Sequence, residues 1–72
     1  MPEYPVLSGA EIVSALEAIG FRQVRQRGSH VVLRRLEAGC VVPLHREVRR
    51  GTLGGILRQA GITPTEFLDA LR

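Results

Sequence analysis

His30 closes the run Arg25-Gln26-Arg27-Gly28-Ser29-His30, and Arg34 follows four residues later. Histidine, with an ordinary pKa of ~6.5, gives and takes protons near neutrality. Arginine holds phosphate oxygens in pairs with its planar fork. Gly28-Ser29 adds a place where a substrate backbone can come close, because glycine carries no side chain. Together these residue types point to proton transfer beside a bound phosphate, with His30 as the catalytic candidate and Arg25, Arg27, Gly28, Ser29 and Arg34 as the binding set. The plain alternative is a strand histidine hydrogen-bonded at a hairpin.

His45, after Pro43-Leu44, is the second titratable candidate. It either shares the work with His30, as base and acid of a metal-free phosphodiester cleavage, or braces the loop that follows. The sequence favours the bracing role. Arg49-Arg50-Gly51-Thr52 leads into a helical segment. The free N–H groups of a helix start make Arg49, Arg50 and Thr52 a further phosphate cradle, with Thr52 as N-cap. Two histidines without an accompanying Asp or Cys set do not form a convincing metal site, and no metal or cofactor is expected. Cys40 lies in an apolar strand and reads as a small buried hydrophobe. No phosphate-binding P-loop, nucleophile elbow or dinucleotide fingerprint is present. Three aromatic residues, Tyr4, Phe21 and Phe67, are too few for a base-stacking platform.

Charge is concentrated where these candidates lie. All ten basic residues are arginine. Residues 1–21 carry a net −3, residues 22–50 a net +6, and residues 51–72 none. A concentrated cationic field suits a polyanionic partner. A chain of 72 residues allows one domain, read here as 1–72, with one lean core. Hydrophobic residues make up 44%, which excludes a compositionally disordered chain. No apolar run approaches the ~20 residues of a membrane span. One cysteine and no export signal make a cytoplasmic location the expectation.

The elements that must position these residues can be read from pattern. Met1–Leu7, with Pro2 and Pro5, reads as an extended lead-in. Ser8 and Glu11 form a capping box, Ile12, Leu16 and Ile19 share one helical face, and Gly20 stops the helix, which predicts a helix over 9–19. Strands are expected at 22–27 and 30–36 around a two-residue Gly28-Ser29 hairpin, and at 40–44 after a turn at Glu37-Ala38-Gly39. That register sets Arg27 opposite His30, Arg25 opposite Val32 and Val24 opposite Leu33. Val24, Val31 and Leu33 then point to the core, while Arg25, Arg27, His30 and Arg34 share the other face. A second helix carries Leu53, Ile56, Leu57 and Ala60 up to Gly61, and a third opens at Thr63-Pro64-Thr65-Glu66. The class is α+β, ordered α-β-β-β-α-α, with helices packed on one face of an antiparallel sheet. The expected core is Phe21, Val24, Val31, Leu33, Val42, Leu53, Ile56, Leu57 and Phe67.

These residues together resemble the HicA family of bacterial toxins. The likeness runs through Ile19-Gly20-Phe21, Arg25 to His30, Val42-Pro43-Leu44-His45, Arg50-Gly51-Thr52-Leu53, Ile56 to Ile62, and Glu66-Phe67. No one piece is specific; the ordered set is. The resemblance implies an α-β-β-β-α fold similar to double-stranded-RNA-binding domains, here with a short extra C-terminal helix. It also implies endoribonuclease activity on mRNA, inhibition of translation, and neutralisation by a HicB-type antitoxin. The family's catalytic histidine carries over to His30, and its Pro-x-His histidine to His45 with a less defined role. The competing expectation is a non-catalytic RNA- or DNA-binding module that uses the same arginine face.

Overall fold

The computed structural model describes residues 4–71, so the first part of the expected lead-in, at 1–3, lies outside the described residues. The element order is α1 (Gly9–Ile19), β1 (Arg22–Arg27), β2 (His30–Arg35), β3 (Ala38–Pro43), α2 (Arg50–Ala60) and α3 (Pro64–Ala70). This is an α+β chain in α-β-β-β-α order with an additional C-terminal helix, consistent with a double-stranded-RNA-binding-domain-like fold. The strands form one antiparallel sheet in the order β1-β2-β3.

Local chemistry sets the boundaries of the helices. In α1 the Ser8 hydroxyl accepts from the Glu11 N–H at 3.1 Å, and the Glu11 carboxylate accepts from the Ser8 N–H at 2.9 Å. Two of the orphan donors at the helix start are thereby satisfied. Gly20, at φ 112°, ends the helix, and Phe21 turns back so that its N–H donates to the Leu16 carbonyl. The same reciprocal box, Thr63 with Glu66, opens α3 behind Pro64. Helix α2 differs from expectation. It starts at Arg50 with Arg49 as N-cap, so Thr52 lies inside the first turn and caps nothing. Arg49 supplies no side-chain cap bond. The first turn is held instead by its backbone, the Leu53 N–H donating to the Arg49 carbonyl at 2.9 Å.

The hairpin between β1 and β2 turns at Gly28-Ser29, with φ +54° at Gly28 and no positive φ at Ser29, the sign pattern of a type II′ turn. Arg27 pairs with His30 and Arg25 with Val32, as the two-residue loop requires. Beyond Arg25 the register slips by one residue. Gln23, and not Val24, stands opposite Leu33, and Val24 is 47% exposed. The placement of Val24 in the core is therefore wrong: a β-bulge adds an unpaired residue and reverses the faces beyond it. Gln23 turns toward α1, where its amide donates to the Glu17 carboxylate at 3.4 Å.

The turn from β2 to β3 also differs. It is Leu36-Glu37, with Arg35 paired to Ala38, so strand β3 begins two residues earlier than the expected Cys40. Leu36 adopts φ +54° and is almost fully exposed. The glycine that suggested a turn, Gly39, is instead paired in the ladder opposite Arg34.

One face of the sheet is covered by the helices. Val31, Leu33, Cys40 and Val42 project from it into a single cluster with Ile12, Val13, Leu16, Phe21, Leu53, Ile56, Leu57 and Phe67. Each large apolar side chain buried this fully contributes about 1.5–3 kcal/mol relative to exposure. Leu7, Ala15, Val48, Ala60 and Ile62 complete the cluster. Among the described residues no polar or charged residue is buried. The core is therefore apolar, and the charge of the described residues lies outside it.

Cys40 is the titratable member of this core. Burial pushes its thiol up to about 11 from an ordinary 9.0. A raised folded-state pKa means the folded chain keeps the proton that the unfolded chain releases first. Stability contributed by the neutral thiol is present below pH 9.0 and is lost as pH rises toward about 11. We expect urea unfolding midpoints to fall over that window, and the Cys40→Ala chain to fall less steeply there. A disulfide reagent at pH 8 should label Cys40 only after unfolding.

Candidate functional site

The uncovered face of the sheet carries the predicted binding set. Arg25, Arg27, His30 and Arg34 all lie exposed on β1 and β2, and the observed pairing places them on the face opposite Val31 and Leu33. Arg22 joins them by pairing with Arg34, a residue that pattern reading missed. In an unbroken strand Arg22 and Arg25, three apart, fall on opposite faces. The bulge at Val24 is what brings both to the same side. The signal was present as two arginines at odd spacing around an apolar residue, which a regular strand cannot reconcile with a basic face.

Between these arginines runs an apolar strip. Val32 pairs with Val41 of β3, Val41 is 39% exposed, and Val24 adds to it. At the far end Arg22, Val24, Arg34, Arg35 and Leu36 line a shallow depression. Arg35 is held away from the open face: its guanidinium donates to the Ile19 carbonyl at 3.1 Å and lies 5.0 Å over the Phe21 ring. Its task is to tie the hairpin to the end of α1. The side chains of Arg25, Arg27 and Arg34 have no hydrogen-bond or ion-pair partner among the described residues. Their donors are free for an external anion.

His30 is the first residue of β2, flanked by Arg27 on β1 and Pro43 on β3. His45, two residues beyond Pro43, comes to the same end of the sheet. The two rings stand 6.5 Å apart between centroids, edge to face at 69°. Both histidines are exposed, and neither ring bonds a protein acceptor among the described residues. Sequence left open whether His45 reaches His30, and the structure brings them together.

Two backbone bonds hold that juxtaposition. The Leu44 N–H donates to the Ser29 carbonyl at 2.6 Å, fastening the strand exit to the hairpin turn. The Gly9 N–H donates to the His45 carbonyl at 2.8 Å, fastening the same segment to the start of α1. Gly9 is buried, and a Cβ there would lie 2.7 Å from the Leu44 Cα and closer still to the Pro43 carbonyl oxygen. Only hydrogen fits. Gly9 is a site-forming residue that sequence reading passed over, because helix-start patterns draw attention to Ser8 and Glu11.

Arg49, Arg50 and Thr52 are not gathered with His30. Arg49 and Arg50 border a cleft lined by Tyr4, Val48 and Leu53, and Thr52 is exposed within the first turn of α2. The expected site therefore divides into a sheet face bearing the histidines and a separate basic helix start. Among the described residues no group of three or more His, Cys, Asp or Glu is placed to hold a metal ion. None of the described helices is long and apolar enough to cross a membrane.

An exposed histidine pair thus stands at the rim of an arginine-lined sheet face. The sequence matches, over residues 9–62, the model of the family described as HicA toxin of bacterial toxin-antitoxin. The chain belongs to this toxin family, whose membership implies an antitoxin partner. Comparison with curated proteins gives no match.

The seating of α1 on the histidine segment can be tested directly. In Gly9→Ala the added methyl must push Pro43–Leu44 away. Overpacking of this kind costs about 1–3 kcal/mol. We expect a lower urea midpoint and, in a histidine-detected NMR spectrum, larger shifts at His45 than at His30. A variant with wild-type stability and unmoved His45 resonances would refute the account.

Proposed function

We propose that this toxin is an endoribonuclease that cleaves mRNA without a metal ion, arrests translation in the cytoplasm, and is neutralised by a HicB-type antitoxin. The observation that carries the reading is His30, exposed among Arg25, Arg27 and Arg34 on a sheet face free of carboxylates at its paired positions. Family membership supports the toxin part directly.

The chemistry follows from those groups. RNA cleaves itself when its 2′-hydroxyl attacks the adjacent phosphorus. The hydroxyl must lose a proton, the departing 5′-oxygen must gain one, and negative charge on the phosphoryl oxygens must be stabilised. His30 serves proton transfer at the scissile phosphate. Arg25, Arg27 and Arg34 orient that phosphate and stabilise its developing charge, while Gly28-Ser29 leaves room for the strand to pass the turn. A longer strand continues toward Arg49, Arg50 and Thr52. Phosphate contacts of this kind are indifferent to base identity, and the valine strip offers the bases an apolar surface.

His30→Ala tests the reading. Losing a general acid or base costs ~10²–10⁴-fold in rate. An exposed residue of this kind changes folding by about 0.5 kcal/mol or less. We expect a folded variant that binds RNA, does not cut it, and no longer arrests growth. The wild type should cut purified RNA in EDTA. Intact RNA under those conditions would favour the non-catalytic binding module, and a folded His30→Ala chain that cut at the wild-type rate would remove His30 from the mechanism.

The antitoxin is read as an acidic cover over the same face, masking the phosphate sites and His30 together. The exposed Val24 and Val41 give that cover apolar contacts within the charged field. Charge reversal at Arg27 and Arg34 should weaken binding of RNA and of antitoxin alike, measured by titration at fixed salt, since both depend on the same cations. Unchanged antitoxin affinity would place the partner elsewhere.

A further inference from the structure

We infer that His45 is the second proton-transfer group of the site, so that His30 and His45 divide the acid and base roles between them. This rests on the endoribonuclease reading above and extends it to a residue whose bracing role the sequence favoured.

The structure separates two jobs that sequence could not. Bracing at position 45 is done by the backbone: the His45 carbonyl accepts the Gly9 N–H at 2.8 Å, and any amino acid supplies that carbonyl. The ring takes no part. It is exposed, bonds no protein acceptor among the described residues, and faces His30 edge to face at 6.5 Å. A histidine kept for packing is covered, and one kept for bracing is hydrogen-bonded; this one is neither. The segment carrying it is pinned on both sides, by Ser29 of the turn preceding His30 and by Gly9 of α1. Pinning limits the motion of one ring relative to the other, as a pair acting on one phosphodiester requires.

The charged groups around the pair fit the same use. Arg27 stands directly opposite His30 across the β1–β2 ladder, with Arg25 and Arg34 farther along the face. Arg46 and Glu47 follow His45 in the loop, and both are exposed. The ladder positions paired with His30 hold Arg27 and Pro43, and no carboxylate. Transesterification needs one ring that accepts a proton and one that donates it in the same turnover. In the balanced step the 2′-oxygen bonds to phosphorus and gives its proton to one histidine. The bond from phosphorus to the 5′-oxygen breaks, and the other histidine gives its proton to that oxygen. The products are a 2′,3′-cyclic phosphate and a 5′-hydroxyl, and neither oxidant nor hydride is involved.

The test compares wild type, His30→Ala, His45→Ala and His45→Gln on a short RNA and on the same RNA with sulfur replacing the 5′-bridging oxygen at the cut site. Thiolate leaves without protonation, so this substrate bypasses the acid. We expect both His45 variants to keep the wild-type unfolding midpoint and RNA affinity. They should lose ~10²–10⁴-fold in rate on ordinary RNA, and one limb of the wild-type bell-shaped pH profile should vanish. The sulfur substrate should restore one single-histidine variant and not the other, which assigns acid and base. A folded His45→Ala chain with wild-type kcat and an intact bell would overturn the inference while leaving the endoribonuclease reading in place. So would a His45→Ala defect confined to KM. If the wild type itself fails to cut either RNA, the underlying reading fails instead.

Discussion

Helix α1 begins so close to the exit of β3 that its first residue has no room for a side chain. Gly9 accepts that constraint, and its N–H, one of the donors a helix start leaves unpaired, finds the His45 carbonyl. Much follows from this contact. It sets the height at which α1 lies over the sheet, and therefore how Ile12, Val13 and Leu16 meet Val31 and Val42 in the core. It fixes the path of residues 44–48, which return to pair Leu7 with Val48 before α2 starts. It also brings His45 to the corner where His30 begins β2. Core packing and site geometry thus depend on the same backbone approach.

The sheet has a second organising property, the separation of its faces. Alternation along β2 sends Val31 and Leu33 to the helices and His30, Val32 and Arg34 to the other side. No charge is buried among the described residues, so the arginines incur no desolvation cost on folding. They also gain nothing from protein partners, Arg35 excepted. Arginines held on a rigid sheet without internal partners add little to stability, and their natural complement is an external anion. The edge strand β1 is exposed along its whole length. Its arginines and its bulge also discourage pairing with another chain's edge, a common defence of exposed strands.

Sequence by itself determined what depends on near neighbours. Capping boxes at Ser8 and Thr63, the stop at Gly20, the Gly28-Ser29 turn and the pairing of Arg27 with His30 are interactions across a few residues, and the side chains that make them are visible in the string. The α+β order, most of the core and the basic character of the sheet face followed from them, because period and register propagate from well-marked turns. The grouping of the candidate residues around His30 was legible for the same reason: glycine, serine, histidine and the arginines lie within one hairpin.

Tertiary structure decided what depends on distant partners. The bulge that moved Val24 out and Arg22 onto the basic face is hinted at locally only by the odd spacing of Arg22 and Arg25, and where it occurs the sheet places Gln23 beside Glu17 of α1. Leu36 takes a left-handed turn that its own preferences resist, because β2 and β3 pair from Arg35 to Ala38 around it. The N-cap of α2 falls at Arg49 and not at Thr52, and backbone bonds, not a capping side chain, secure its first turn. The meeting of His45 with His30 was decided the same way. His30 opens β2 and His45 lies in the segment after β3, and their distance is set by a hydrogen bond to Ser29 and by the missing side chain of Gly9, a residue thirty-six positions before His45.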